Sequence, residues 1–354
     1  MKKTLLLLCA FAGGYLFDLL HIPAGWLLGA MLVGASYRLL IADISYPNLL
    51  FDLSLAVIGV SIGIGIQLTM FKEAASYLLP LAVSMVTLLL ASWFLGKVLD
   101  KYSNLDAKTA LFCCLPAGAS IMMALSREYK ANLSMVAAFQ TVRIMMLVST
   151  IPIVAGVMSS FISTEETESA SPVQTVHSEV PMWEALIIFI LLAAFTLFVA
   201  SKWRIPLAPF LYSIIFGFVF ITFVKTLPAM PNVMVGAGMA ILGVIIGVRF
   251  DRESLVEIKR IGWTSLGVLG AFFILTFIIT FVFYLMTPLD FITSLLAIVP
   301  AGAPQMASVA ASLGLDASIV AAMQVTRLLA IILIIPMLIP LLVTKEEPAE
   351  AEPN

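Results

Sequence analysis

The chain has 354 residues, of which 62% are hydrophobic and only 11% charged, with a formal net charge of −2 and a mean hydropathy of +1.10. A soluble domain is about half apolar and about a quarter charged, so this composition excludes that class, a disordered chain and a disulfide scaffold, and predicts a chain made mostly of membrane-spanning helices. No basic tract is present, so direct nucleic-acid binding lacks its electrostatic footprint.

A bilayer core takes about 20 apolar residues as a helix. Lys2-Lys3 and the apolar run from Leu5 to Phe17 imitate a secretory signal peptide, but Leu8 before Cys9 is a poor lipoprotein cleavage site and no A-x-A-like site follows. The stretch reads as a retained first helix. In chain order, apolar segments fall at 3–20, 22–40, 47–70, 77–99 and 134–161, with a weaker one at 109–126 interrupted by Pro116-Ala117-Gly118-Ala119. The second half follows with 182–202, 205–224, 231–250, 261–286 and 318–343, and a broken segment at 291–313. Between the halves, Ser163 to Val180 is polar and acidic and cannot bury a core. The resulting organisation is an N-terminal repeat over 1–161, a linker over 162–181, a C-terminal repeat over 182–343 and an acidic tail over 344–354.

The halves align at a shift of 184 residues. Leu105-Asp106 falls on Leu289-Asp290, and Pro116-Ala117-Gly118-Ala119 on Pro300-Ala301-Gly302-Ala303. Val136-Ala137-Ala138, Gln140, Arg143 and Pro152 fall on Val320-Ala321-Ala322, Gln324, Arg327 and Pro336. Of the 48 positions from 105 to 152, 17 are identical to their partners. Gly59 and Gly63 match Gly243 and Gly247, and Ile22-Pro23 matches Ile205-Pro206 after a one-residue adjustment. A single offset across separate motifs marks an internal duplication.

Basic residues collect on the cytoplasmic side of a membrane. If all six segments of each half cross, the count is eight inside against nine outside. If each broken segment enters and returns on one side, it is fifteen against two, with only Lys72 and Lys225 outside. The expected fold is therefore an all-α polytopic membrane protein of two inverted repeats, each of about five crossings plus a re-entrant or broken helix at the PAGA turn. It reads as a multi-pass protein of the bacterial inner membrane with cytoplasmic termini and an external linker. The competing geometry is one full-length helix kinked at Pro116 or Pro300. Asp106 and Asp290 stand as N-caps where the broken segments begin.

Arg143 and Arg327 lie about ten residues into long apolar helices, each three positions after a glutamine on the same face. An arginine at such depth costs roughly 2.5–3.5 kcal/mol by insertion scales and needs a partner. Two readings stay open: a guanidinium fork for an anion, or a cap for the carbonyls of the break. The candidate substrate-binding residues are Arg143, Arg327, Gln140, Gln324, Gly118, Gly302, Ser120 and Gln305. Broken helices meeting near the midplane of inverted repeats are a layout of secondary transporters. Gly59/Gly63 and Gly243/Gly247 read as close helix contacts.

Two histidines and three cysteines at scattered positions make no metal-ligand set, and no nucleophile–base pair or carboxylate dyad appears. The expectation is no cofactor, no metal and no enzyme. The partners expected are a small anionic substrate and the lipid bilayer, without nucleic acid; a homo-oligomer is compatible with the sequence.

A proline-glycine turn after an apolar helix, then an alanine-rich stretch and V-A-A-x-Q-x-x-R with a proline nine residues later, present twice, resembles the AbrB membrane-protein family. The resemblance covers essentially the whole chain. The family turn is more typically P-G-G, whereas this chain has Pro116-Ala117-Gly118 and Pro300-Ala301-Gly302. Relatives carry the label ammonia monooxygenase, against which the ligand census argues, and a regulator label. Function thus divides between a secondary transporter or exporter of a small organic anion and a membrane-bound regulator acting indirectly on gene expression.

Overall fold

The computed structural model describes residues 2–66, 76–116, 119–162, 180–203, 205, 207–250 and 252–342. Almost all of the linker, the acidic tail, Ala117 and Gly118 lie outside the described residues, as does the side chain of Ser120. The helices of the first half are α1 (Lys2–Leu19), α2 (Gly25–Leu40), α3 (Asn48–Gly63), α4 (Leu78–Tyr102), α5 (Ala107–Cys114), α6 (Ala119–Glu128) and α7 (Leu133–Ile162). Those of the second are α8 (Met182–Lys202), α9 (Ala208–Phe223), α10 (Asn232–Gly247), α11 (Arg252–Ile261), α12 (Trp263–Met286), α13 (Phe291–Ile298), α14 (Ala303–Ser312) and α15 (Ala317–Leu342).

Five of these helices, in α4, α7, α8, α12 and α15, hold stretches long and apolar enough to cross a membrane. That is the make-up of a polytopic membrane protein. The four 16-residue helices α2, α3, α9 and α10 rise only about 24 Å each. They are held by close approach to one another. A Cβ on Gly243 would stand 2.3 Å from the Leu27 carbonyl oxygen, and one on Gly247 would stand 2.2 Å from that of Met31. In the mirrored pair, a Cβ on Gly59 would stand 1.8 Å from Ser213 Oγ, and one on Gly63 would stand 2.4 Å from the Ile214 carbonyl oxygen. Only glycine admits backbone contact this close, so the four repeat glycines are packing residues.

These contacts fix directions. Residues 27 and 31 of α2 meet 243 and 247 of α10 in the same order, so α2 and α10 run parallel. The same reasoning makes α3 and α9 parallel. Gly238 of α10 abuts Val57 and Ile58, whereas Arg249, just beyond α10, stacks over the Phe51 ring at 5.0 Å near the start of α3. Hence α3 and α10, which correspond at the 184-residue shift, run antiparallel.

The packing crosses between halves throughout. The helices most closely packed on α3 are α8, α9, α10 and α14, all from the second half, and α2 packs on α1 and α10. Thr264 Oγ1 donates to the Tyr102 carbonyl at 2.9 Å, and the Ala24 N–H donates to Ser312 Oγ at 3.2 Å. Hydroxyls buried within the bundle answer the lack of water by donating to their own helix: Ser92 to the Leu88 carbonyl at 2.7 Å and its repeat mate Thr276 to that of Phe272 at 2.9 Å.

Two segment boundaries differ from the sequence expectation. The helices expected over 47–70 and 231–250 end at Gly63 and Gly247. Beyond them the chain tightens into i→i+3 turns, Gly65 N to Ile62 O and Arg249 N to Ile246 O, at 3.0 and 3.1 Å. The amphipathic α11 was not among the expected segments, because Arg252, Glu253, Glu257, Lys259 and Arg260 make it too polar for a hydropathy scan. It lies along α7.

Candidate functional site

The site grows from two prolines. A residue before proline is pushed out of the helical region. Leu115 accordingly sits at φ −62°, ψ 132°, and Val299 at φ −59°, ψ 129°, ending α5 and α13 after eight residues each. Asp106 and Asp290 cap the other ends, accepting from Thr109 N at 3.1 Å and Thr293 N at 2.9 Å, as the sequence predicts. Each short helix then leaves last-turn carbonyls without intrahelical donors, in a setting where water cannot supply them.

The glutamine and arginine of the following long helix supply them. Gln140 Nε2 donates to the carbonyls of Phe112 and Leu115 at 2.9 and 3.1 Å. Arg143 Nη1 donates to those of Leu115 and Cys114 at 3.0 and 3.4 Å, and its Nη2 to Gln140 Oε1 at 2.6 Å. The second half repeats the arrangement. Gln324 Nε2 reaches Leu296 and Val299 at 2.6 and 2.9 Å, Arg327 Nη1 reaches Ile298 and Val299 at 2.6 and 3.0 Å, and Arg327 Nη2 reaches Gln324 Oε1 at 2.6 Å. Each guanidinium also sits at the negative end of a helix dipole. The carbonyl-capping reading of the arginines is thus realised bond for bond.

Capping does not use every donor. A guanidinium has five N–H groups, and Arg143 spends three. Its Nε is buried with no hydrogen-bond partner among the described residues. The Arg143 side chain is 1% exposed and that of Arg327 is 7% exposed. Among the described residues, neither arginine is paired with a carboxylate. Arg143 instead lies over the ring of Phe272, 5.1 Å from its centroid. That contact joins the halves and is invisible to the repeat pattern, since position 88 in the first half is leucine.

One bond ties the two ends of the first broken segment together. Asn132, which follows α6, donates its N–H to Thr109 Oγ1 at the start of α5, at 2.9 Å. The exit of the first broken segment therefore lies beside its entrance. Gly302, the N-cap of α14, has φ 109° and ψ 130°, a conformation open to glycine and costly for other residues. Gln305, on the first turn of α14, is buried beside it. Gly118 and Ser120, the other two candidates, are respectively outside the described residues and described only in backbone.

The sequence that builds this doubled clamp matches a known family over most of its length. The family described as "Transition state regulatory protein AbrB" matches residues 3–75 and 38–343. The chain belongs to the AbrB family. Within reach of this AbrB-family chain is a Bacillus subtilis (strain 168) protein named "Uncharacterized protein YhjN", 25% identical over 335 residues, 87% of this chain and 84% of that protein. Another is an Escherichia coli (strain K12) protein named "Putative regulator AbrB", 26% identical over 245 residues, 69% of this chain and 68% of that protein.

Proposed function

We propose that this AbrB-family chain is a secondary transporter or exporter of a small organic anion in the bacterial inner membrane. Its two halves are inverted repeats, and the two broken segments are re-entrant hairpins that meet near the midplane. The observation carrying this reading is the pair of buried guanidiniums, one behind each break, neither paired with a carboxylate among the described residues, with an unused Nε–H on Arg143. Carbonyl capping offsets only part of the cost of burying two positive charges, and an anion beside them would offset more of it.

The antiparallel course of α3 and α10 supports inversion, because repeat mates in parallel repeats would run the same way. The Asn132–Thr109 bond supports a hairpin over a kinked spanning helix. Rocking one bundle against the other would then alternate access to the site, with Arg143 and Arg327 both holding the hairpins and drawing in the anion. No enzymatic step and no cofactor enter this reading.

The test is counterflow in proteoliposomes loaded with a panel of carboxylates, comparing the native protein with Arg143→Lys. Accumulation of a labelled carboxylate, weakened in a variant that still melts cooperatively, is the expected result. A second reading, an indirect membrane-bound regulator, draws on the name of the E. coli relative. Ligand binding without flux of any compound would favour it and end the transport proposal.

A further inference from the structure

The two hairpins are alike in their clamps but unlike in what they present at the break. After each PAGA the first half has Ile121 where the second has Gln305. Gln305 is the third residue of α14, and its carboxamide folds back over the N-cap: a Cβ on Gly302 would stand 2.1 Å from Gln305 Oε1. A glutamine at this position closes a capping box when its oxygen accepts from the N-cap N–H. Here it does not. The side chain is 8% exposed, and Oε1 is buried with no donor among the described residues. The neighbouring Ser308 is satisfied by the Pro304 carbonyl at 2.6 Å, so it does not supply the missing proton.

A buried acceptor without a donor is an unfavourable state of the folded protein. It lies at the positive end of α14, whose first-turn N–H groups have no intrahelical acceptors. Pro304 contributes no N–H there, so an oxygen anion would be met by the other N–H groups of the turn. α14 packs on α7, the helix that carries Arg143 with its own unused Nε–H. The unmet acceptor and the helix terminus beside it call for different parts of one ligand.

Building on the anion-transport reading, we propose that the ligand is a carboxylate bearing a hydroxyl or ammonium group on a nearby carbon, and that Gln305 is the residue that selects it. The first turn of α14 takes the carboxylate, and Gln305 Oε1 accepts from the hydroxyl or ammonium. Selection therefore resides in the second hairpin, and the isoleucine of the first supplies none of it.

The experiment is calorimetric titration of the purified full-length protein with matched pairs: lactate and alanine each against propionate, and malate against succinate. The substituted member is expected to bind about tenfold or more tightly, since a site built to bond a polar group rejects the analogue that lacks it. Lactate against alanine tells hydroxyl from ammonium. Gln305→Ile, which copies the first half, is expected to bring both members of a pair within about twofold, the substituted member losing its advantage; Gln305→Met serves if that variant does not fold. Equal affinities within every pair in the native protein would overturn the proposal and leave the anion reading standing. So would a Gln305→Ile variant that weakens both members equally. Binding of no carboxylate at all would overturn both.

Discussion

The N–H of Asn132 is bonded to Thr109 Oγ1 at 2.9 Å, so the residue leaving the first broken segment is held to the residue entering it. The two arms, α5 and α6, are 8 and 10 residues long, and neither alone reaches across a hydrocarbon core of about 30 Å.

This relationship sets a labelling experiment. With exposed Cys9 replaced by serine, single cysteines at Lys101 and Lys130, both exposed, are expected to react with an impermeant maleimide from the same side of the membrane. A cysteine at Ser171 in the linker is expected to react from the other side. Reaction of Lys101→Cys and Lys130→Cys from opposite sides would mean a kinked helix that crosses.

The clamp should matter equally in both copies. Gln140→Leu strips donors from the Phe112 and Leu115 carbonyls and the acceptor from Arg143, and Gln324→Leu does the same to Leu296, Val299 and Arg327. Each is expected to destabilise by about 1–3 kcal/mol, read as a lowered melting temperature in detergent. Arg143→Lys should also destabilise, because an ammonium cannot reproduce the planar fork that spans two carbonyls and an amide. A normal melting temperature in all three would make the clamp energetically idle.

Glycines give a graded test. A methyl at Gly243 meets the Leu27 carbonyl oxygen at 2.3 Å, backbone that cannot move aside, whereas nothing lies within 4 Å of one at Gly267. Gly243→Ala is expected to cost about 1–3 kcal/mol through overpacking. Gly267→Ala should be neutral or stabilise by up to about 1 kcal/mol through the entropy that glycine loses in a helix. Matching melting temperatures would contradict the packing.

The aspartate caps offer a milder pair. Asp106→Ala and Asp290→Ala each remove the oxygen that accepts from Thr109 N or Thr293 N, at a cost of about 1 kcal/mol, and the asparagine variants should restore most of it. If alanine and asparagine behave alike, the caps are incidental.

How far this was legible depended on whether a feature was repeated. Asp106, Asp290, the glutamine–arginine pairs and the four packing glycines could be found because each occurs twice at one spacing, and their roles follow from what an apolar surround demands of a polar group. The Arg143–Phe272 contact has no such signal: position 88 carries leucine, and only three-dimensional contact brings α7 to α12. The ends of α3 and α10 were overestimated because hydropathy continues past Gly63 and Gly247 while the backbone changes to tighter turns. α11 was missed for the opposite reason, as its charges hide a helix that packs along α7. Gln305 could be named from sequence, but its unmet oxygen could not, since that depends on where the carboxamide folds.

The packing of α3 almost wholly on second-half helices has a consequence for biogenesis. A ribosome delivers α3 long before α9 and α10, so the Gly59 and Gly63 face of α3 has nothing to close on when it is first made. The half-made chain must wait as loosely associated helices, with Gly59 and Gly63 against lipid or an insertion chaperone, until the partner half arrives. Truncations that stop within the linker should therefore be cleared by membrane proteases instead of accumulating as a folded half, and the two halves supplied as separate polypeptides should rescue one another only when made together.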